Sequence, residues 1–265
     1  MIVELPENFT SQTMYELLEN VIDNDLKPRD QEIKLNFGTL RFIEPVGVTI
    51  LSNLIEWLHK RDIQVILTHP RNIPSSKWDP LKYLDDSQFF QRYLGKSLTE
   101  NAYTRDTTIP LQLVAYSNSY QWLDLNLTSW LSRRLNISKE SLRDIKMSFG
   151  EIFNNINDHA QENIGCIFAQ HYPASNTVNI AISDFGVGIP NNIRKILPSL
   201  TDGEALFKAI EEGFSSKTTP RNLGVGLHTL ITNVVENNGG SVHIRSGYGI
   251  LDCINVNNEL KINFT

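Results

Sequence analysis

The chain has 265 residues, 40% of them hydrophobic, and a formal net charge of −6. This length suits one large or two ordinary domains, and the hydrophobic content is enough for a buried core. The acidic balance provides no basic surplus for nucleic acid, so no nucleic-acid partner is expected.

The first part of the chain alternates helical and strand patterns. Met14, Leu17 and Val21 recur at helical spacing, and Ile33 and Leu35 alternate in the strand-like stretch "EIKLNFGTLRFI". A second helical pattern, "GVTILSNLIEWLHKRD", is followed by the strand-like "IQVILTHP". This alternation predicts an α/β domain over residues 1–75 with a parallel or mixed sheet.

Residues 76–109 show weaker patterns and are predicted to be a connecting segment with one short helix after Pro80. From 110 to 265 the patterns indicate a strand, two helices, two strands, a loop-rich region, a helix and two final strands. Helices segregated from a largely antiparallel sheet predict an α+β two-layer sandwich in this region.

Two cysteines, Cys166 and Cys253, lie far apart and outside any paired motif. This favours a reducing compartment and argues against a zinc site or a disulfide framework. The N-terminus lacks the basic start and apolar run of a signal peptide, and no apolar stretch approaches the ~18–20 residues of a membrane helix. We therefore expect a cytoplasmic protein without a membrane partner.

Three motifs in the second region carry candidate chemistry. In "EIFNNINDHA", the residues Glu151, Asn155 and His159 follow one another at one-turn intervals beside an apolar stripe. A carboxylate one turn from an amide can direct a base and a magnesium ligand toward one bound group. A solvated helix flank is the alternative interpretation.

The second motif is "DFGVGIP", which follows a predicted strand. Asp184 at the strand end could accept a hydrogen bond from an adenine amino group. Gly186 and Gly188 would permit a tight turn or a close approach to a flat ligand. Taken alone, this pattern is most often an ordinary turn.

The third motif is "GFSSKTTPRNLGVGLHTL", in which cations and glycines precede a return to helical periodicity. Backbone amides at a helix start bind phosphate, and Lys217 and Arg221 could add cationic contacts. The alternative is a polar surface loop. The other candidate binding residues here are Gly224, Val225, Gly226 and Leu227.

In this order, the three motifs resemble the N box and the two glycine boxes of the GHKL (Bergerat) ATP-binding superfamily, most closely the bacterial anti-sigma factor kinases. The resemblance implies an ATP site in which Asn155 holds Mg²⁺, Asp184 reads adenine and Glu151 is the catalytic base. His159 stands where these kinases tend to carry histidine. The resemblance also makes a homodimer an expectation.

Residues 1–75 resemble the STAS domain of anti-sigma factor antagonists through "IKLNFGTLRFIEPVGVTILSNLIEWLHKRDIQVILTHP". Val46 occupies the position of that family's phosphorylated hydroxyl residue, so the domain should not be a substrate of the usual kind. Thr49 and Ser52 lie in the helix that follows. A docking surface or an internal regulator is the role expected instead.

The leading interpretation is an ATP- and Mg²⁺-dependent serine/threonine kinase or ATPase that acts on a regulatory protein partner by partner switching. The retained Glu151 favours it, because a pure binding module needs no base. The first alternative is a non-catalytic, ATP-gated protein-binding module. A structural protein with a vestigial site is the second.

Overall fold

A computed structural model describes residues 1–69, 76, 79–159, 164–214 and 226–265. The strands are β1 Ile2–Glu4, β2 Asn8–Phe9, β3 Glu32–Asn36, β4 Phe42–Ile43, β5 Gln64–Thr68, β6 Thr108–Ala115, β7 Ile164–Tyr172, β8 Thr177–Ser183, β9 Ser241–Ser246, β10 Gly249–Val256 and β11 Glu259–Phe264. The helices are α1 Met14–Val21, α2 Pro45–His59, α3 Pro80–Asp86, α4 Phe89–Leu94, α5 Tyr116–Trp122, α6 Ser129–Leu135, α7 Arg143–His159, α8 Ile189–Arg194, α9 Asp202–Ala209 and α10 Gly226–Ile231.

Two compact units divide the chain. The first comprises Met1–Val114 and Gly165–Phe185, and the second comprises Ala115–Ile164 and Gly186–Thr265. The first unit therefore includes β7 and β8, although both strands lie in the sequence region predicted to be a separate domain. The predicted domains at 1–75 and 110–265 and the connecting segment at 76–109 stay predictions.

The N-terminal part of the first unit is built on a parallel sheet with the strand order β1-β3-β5. Alternation in β3 directs Ile33 and Leu35 into the core, where neither is exposed to solvent. Parallel neighbours need long crossovers, and α1 and α2 lie in those connections. Both predicted helices and the strand that follows α2 are thus confirmed. The stretch over residues 32–43, predicted as one strand, is instead divided into β3 and β4, which lie in different sheets.

Helix α2 is buried over eleven of its fifteen residues. It contacts β5 of the parallel sheet and β8 of a second sheet, ordered β6-β7-β8. Asn53 donates a hydrogen bond to the Ser183 hydroxyl at 2.7 Å, and the rings of Trp57 and Phe185 stack with centroids 5.8 Å apart. These contacts hold the end of β8 against α2.

Residues 79–106 contribute directly to the core of the first unit. They contain two helices, α3 and α4, where the sequence predicted one. Phe89 and Phe90 of α4 are fully buried, and Phe90 packs against Phe37 with ring centroids 5.5 Å apart. The buried carboxylate of Asp85 accepts the Leu98 amide at 2.8 Å, which anchors the polar stretch that follows α4.

The second unit contains an antiparallel sheet ordered β11-β10-β9. Helix α9 and the π-helical turn Thr232–Asn237 contact this sheet, and Leu206, Val235 and Leu251 form part of their shared core. In the same unit, α7 contacts α5 and α10. A π-helical turn, Leu123–Thr128, joins α5 to α6.

The fold is therefore mixed α/β with several sheets, which confirms the coarse class predicted from the sequence. The strands after residue 107 form two three-stranded sheets that belong to different units, whereas a single α+β sandwich was expected. Among the helices of the described ranges, none is long and apolar enough to cross a membrane.

Truncating Phe90 to alanine should lower the free energy of unfolding by about 3–5 kcal/mol, because it empties a fully buried site. Leu94→Ala on the same helix is the control: Leu94 is 38% exposed, and a change within about 0.5 kcal/mol is expected. Both are measured by urea unfolding. A Phe90→Ala effect as small as the control would contradict a core position for α4.

Candidate functional site

Helix α7 carries the first motif on a partly buried face. Phe149, Phe153 and Ile156 are buried, and Phe153 is the most buried of the three. Glu151 is half-buried. This partial burial favours a packed helix face over a solvated flank at Glu151.

Glu151 lies against Gly226, the first residue of α10. A Cβ atom on Gly226 would lie 2.6 Å from the Cβ of Glu151 and 3.2 Å from its Cγ. Only glycine allows the two helices to approach this closely without displacing one of them. The first and third motifs, distant in sequence, thus meet in the second unit.

Two residues that the sequence did not single out complete this arrangement. Asn154 Nδ2 donates to Glu151 Oε1 at 3.2 Å and to the Tyr120 hydroxyl at 3.1 Å. Asn154 lies three residues after Glu151, so helical spacing alone could have indicated it. Tyr120 comes from α5, and nothing in the local sequence points to its role.

The other candidate residues of the first and third motifs are described only in part. Asn155 and His159 belong to the backbone of α7, but their side chains lie outside the part that the structure describes. Lys217, Arg221, Gly224 and Val225 also lie outside the described residues. Leu227 is half-buried and packs against the core of the second unit.

The second motif spans the boundary between the two units. Asp184 is exposed directly after β8 in the first unit, and Gly186, in the second, is half-buried. Gly188 has a left-handed φ of +83°, which favours glycine. Ser246 at the end of β9 accepts the Ile189 amide at 2.9 Å, so this turn is tied to the sheet of the second unit.

Asp202 supports the hairpin that carries Ser246. Its carboxylate pairs with Arg194 and accepts the Tyr248 amide at 2.8 Å. Burial raises the pKa of the Asp202 carboxyl, but the hydrogen bonds from Arg194 and the Tyr248 amide lower it by more. The pKa of Asp202 therefore lies below its usual value.

A second polar constellation lies on β9 and β10. His243 Nδ1 is 2.7 Å from Asp252 Oδ1, and His243 Nε2 is 3.0 Å from Ser241 Oγ. A carboxylate, an imidazole and a hydroxyl joined in this order also occur in serine hydrolases, where the histidine takes the proton of the serine hydroxyl.

Other contacts argue against hydrolase chemistry there. Arg245 Nη1 donates to the same Asp252 oxygen at 2.7 Å, so the carboxylate is shared. The amides of Gly239 and Gly240, which precede Ser241, already donate to carbonyls of the π-helical turn and cannot stabilise an oxyanion. We interpret the constellation as a surface network.

Within the described ranges, no group of three or more His, Cys, Asp and Glu side chains could hold a metal ion. Comparison of the chain with models of protein families, with characterised proteins and with solved structures finds no match.

Gly226→Ala should lower the free energy of unfolding by about 1–3 kcal/mol, because the added methyl group overlaps the Cβ of Glu151. Replacing glycine by alanine in a helix otherwise raises the free energy of unfolding by up to about 1 kcal/mol. The sign of the change therefore shows whether the two helices approach closely at this position. In the control Gly38→Ala, the methyl group meets only the end of the Asn36 side chain, at 3.3 Å. A stabilised Gly226→Ala would refute the close approach.

Asp202→Asn should lower the free energy of unfolding by about 1.5–3 kcal/mol at neutral pH, since it weakens hydrogen bonds to a charged group. Because folding lowers its pKa, ionised Asp202 stabilises the protein above the usual pKa of about 3.9. That contribution is lost as the pH falls through the lower folded pKa. Unfolding titrations from pH 7 to pH 3 should thus narrow the difference in the free energy of unfolding between mutant and wild type once the pH falls below about 4; a pH-independent difference would contradict the pairing. Asp25→Asn, at a 79% exposed site, is the control.

Proposed function

We propose that the chain is an ATP- and Mg²⁺-binding regulatory protein with a GHKL-type site, a serine/threonine kinase or ATPase similar to the anti-sigma factor kinases. The observation that carries the proposal is the packing of Glu151 against Gly226. These residues come from the motifs that resemble the N box and the second glycine box. Their approach supports a common site for two segments that are far apart in sequence.

The surroundings of Glu151 fit the role of a base. Gly226 lacks the side chain that would fill the space beside the carboxylate, and Asn154 occupies Oε1 only. In the described part of the chain, no cation pairs with Glu151. With respect to the described residues, Oε2 is therefore available to take a proton from water or a protein hydroxyl. Such a contribution is typically worth about 10²–10⁴-fold in rate.

The remaining candidate residues have binding roles under this proposal. Asp184 accepts a hydrogen bond from the adenine amino group, and the turn at Gly188 lets the backbone approach the adenine ring. Asn155 holds Mg²⁺, with His159 beside it. When bound, ATP would supply the phosphoryl group, and Mg²⁺ would partly neutralise its negative charge. The other residues proposed to contact nucleotide are Gly186, Lys217, Arg221, Gly224, Val225, Gly226 and Leu227.

The N-terminal residues are proposed to form a STAS-like docking surface or internal regulator. Val46 has no hydroxyl, and the hydroxyl of Thr49 is buried and donates to the Val46 carbonyl at 3.0 Å. Ser52 is also buried and hydrogen-bonded to Tyr93. A kinase cannot reach either hydroxyl in the folded protein, which supports a role other than phosphoacceptor. A cytoplasmic protein partner and a homodimer complete the proposal.

Calorimetry with Mg²⁺ and ATP tests the proposal first. Wild type should bind, and Asp184→Asn should bind at least about tenfold more weakly, because its amide presents a mixed donor and acceptor to the adenine amino group. Asp25→Asn, an exposed acid of the same unit, should bind like wild type. Absence of binding by wild type would refute the nucleotide site.

Turnover then separates an enzyme from a binding module. Glu151→Gln should retain ATP binding and lose at least about 100-fold in the rate of Mg²⁺-dependent hydrolysis, since glutamine cannot accept the proton. Glu236→Gln, at an exposed site of the second unit, is the control. Binding without turnover by wild type would favour the non-catalytic, ATP-gated module instead.

A further inference from the structure

Glu151 is held by a short hydrogen-bond chain that begins on another helix. Tyr120 on α5 contacts Asn154 on α7, and Asn154 contacts Glu151 one turn earlier on the same helix. The two hydrogens of the Asn154 amide are enough to serve both acceptors at once: Tyr120 Oη at 3.1 Å and Glu151 Oε1 at 3.2 Å.

From this geometry we infer that Asn154 and Tyr120 are positioning residues for Glu151. A glutamate side chain on a helix can adopt several rotamers, and fixing it costs up to about 2 kcal/mol of conformational entropy. The hydrogen bond to Oε1 selects one arrangement, and none of the described residues donates a hydrogen bond to Oε2. The inference rests on the proposed function, since it assigns these residues to the same base.

The packing around this hydrogen-bond chain supports a positioning role for Tyr120. A Cβ atom on Gly150 would lie 3.1 Å from Tyr120 Cε1, so a glycine at this position makes room for the ring against α7. On the neighbouring side of the helix, Gly226 makes room for Glu151 itself. Two glycines thus flank the path from Tyr120 to the carboxylate.

The chemistry of Asn154 suits this task. Its amide is uncharged, so it can orient the carboxylate without neutralising it, whereas Lys or Arg at this place would compete with the incoming proton for the same group. Tyr120 is 55% exposed, and the loss of its hydroxyl should cost little stability. A purely structural role therefore predicts almost no effect of Tyr120→Phe.

The test measures steady-state ATP hydrolysis with Mg²⁺ in the full chain, together with ATP affinity by calorimetry and the midpoint of thermal unfolding. Asn154→Ala should lower kcat about 10- to 30-fold and Tyr120→Phe about 3- to 10-fold, consistent with one lost orienting hydrogen bond each. ATP affinity should stay within about twofold of wild type, because neither residue is proposed to contact nucleotide.

Double variants decide whether Tyr120 and Asn154 act on Glu151 through the same hydrogen-bond chain. Tyr120→Phe should add nothing in an Asn154→Ala background, and neither change should matter once Glu151→Gln is present. The control is Tyr248→Phe, since Tyr248 is the 85% exposed tyrosine of the same unit. Its kcat should equal that of wild type.

The outcomes are distinguishable. If Glu151→Gln abolishes turnover while Asn154→Ala and Tyr120→Phe retain wild-type kcat, the proposed function stands and the positioning role is refuted. If the variants lose kcat only in proportion to ATP affinity or thermal stability, the positioning role is also refuted. If wild type does not turn over ATP, or Glu151→Gln turns it over normally, the role of Glu151 as base is refuted and the positioning role falls with it, whereas the nucleotide site is judged by calorimetry alone.

Discussion

The close approach of α7 and α10 is the constraint around which the second unit is organised. It requires glycine at position 226, because any Cβ there would overlap Glu151. The same contact keeps the carboxylate half-buried, which limits the rotamers open to it and brings it within reach of Asn154. The packing of the two helices thus depends on one small residue, because a larger residue at position 226 would displace the Glu151 side chain.

In the first unit, α2 plays the corresponding structural part. Gly47 near its start lies where a Cβ would be 2.8 Å from the Phe9 carbonyl oxygen, so the helix begins in close contact with β2. Asn53 and Trp57 then bind the end of β8. Because α2 contacts both sheets of this unit, its buried residues include hydroxyl and amide groups whose hydrogen bonds are made inside the core.

Local patterns predicted elements well wherever periodicity was strong. The strand at 164–172 and the helices beginning near residues 14 and 45 follow directly from alternation and helical spacing. Helices α8 and α9 were not predicted, since they lie in a region of loop-forming residues. Thr201 and Glu204 form a capping box that marks the start of α9, a signal present in the sequence but outweighed by its surroundings. The segment at 79–106 was underestimated because its helical and strand patterns are weak, although Phe89 and Phe90 are among the most deeply buried residues.

By itself the sequence determined the mixed α/β class, most element types and the identity of Glu151 and Gly226 as members of notable motifs, because these follow from composition and short-range spacing. Only the tertiary structure decided that Glu151 packs on Gly226, that Asn154 and Tyr120 reach it, and that β7 and β8 pack with the N-terminal residues. Such pairings depend on how distant segments bury their apolar faces against one another. Local periodicity predicts an apolar face but does not indicate which other segment packs against it.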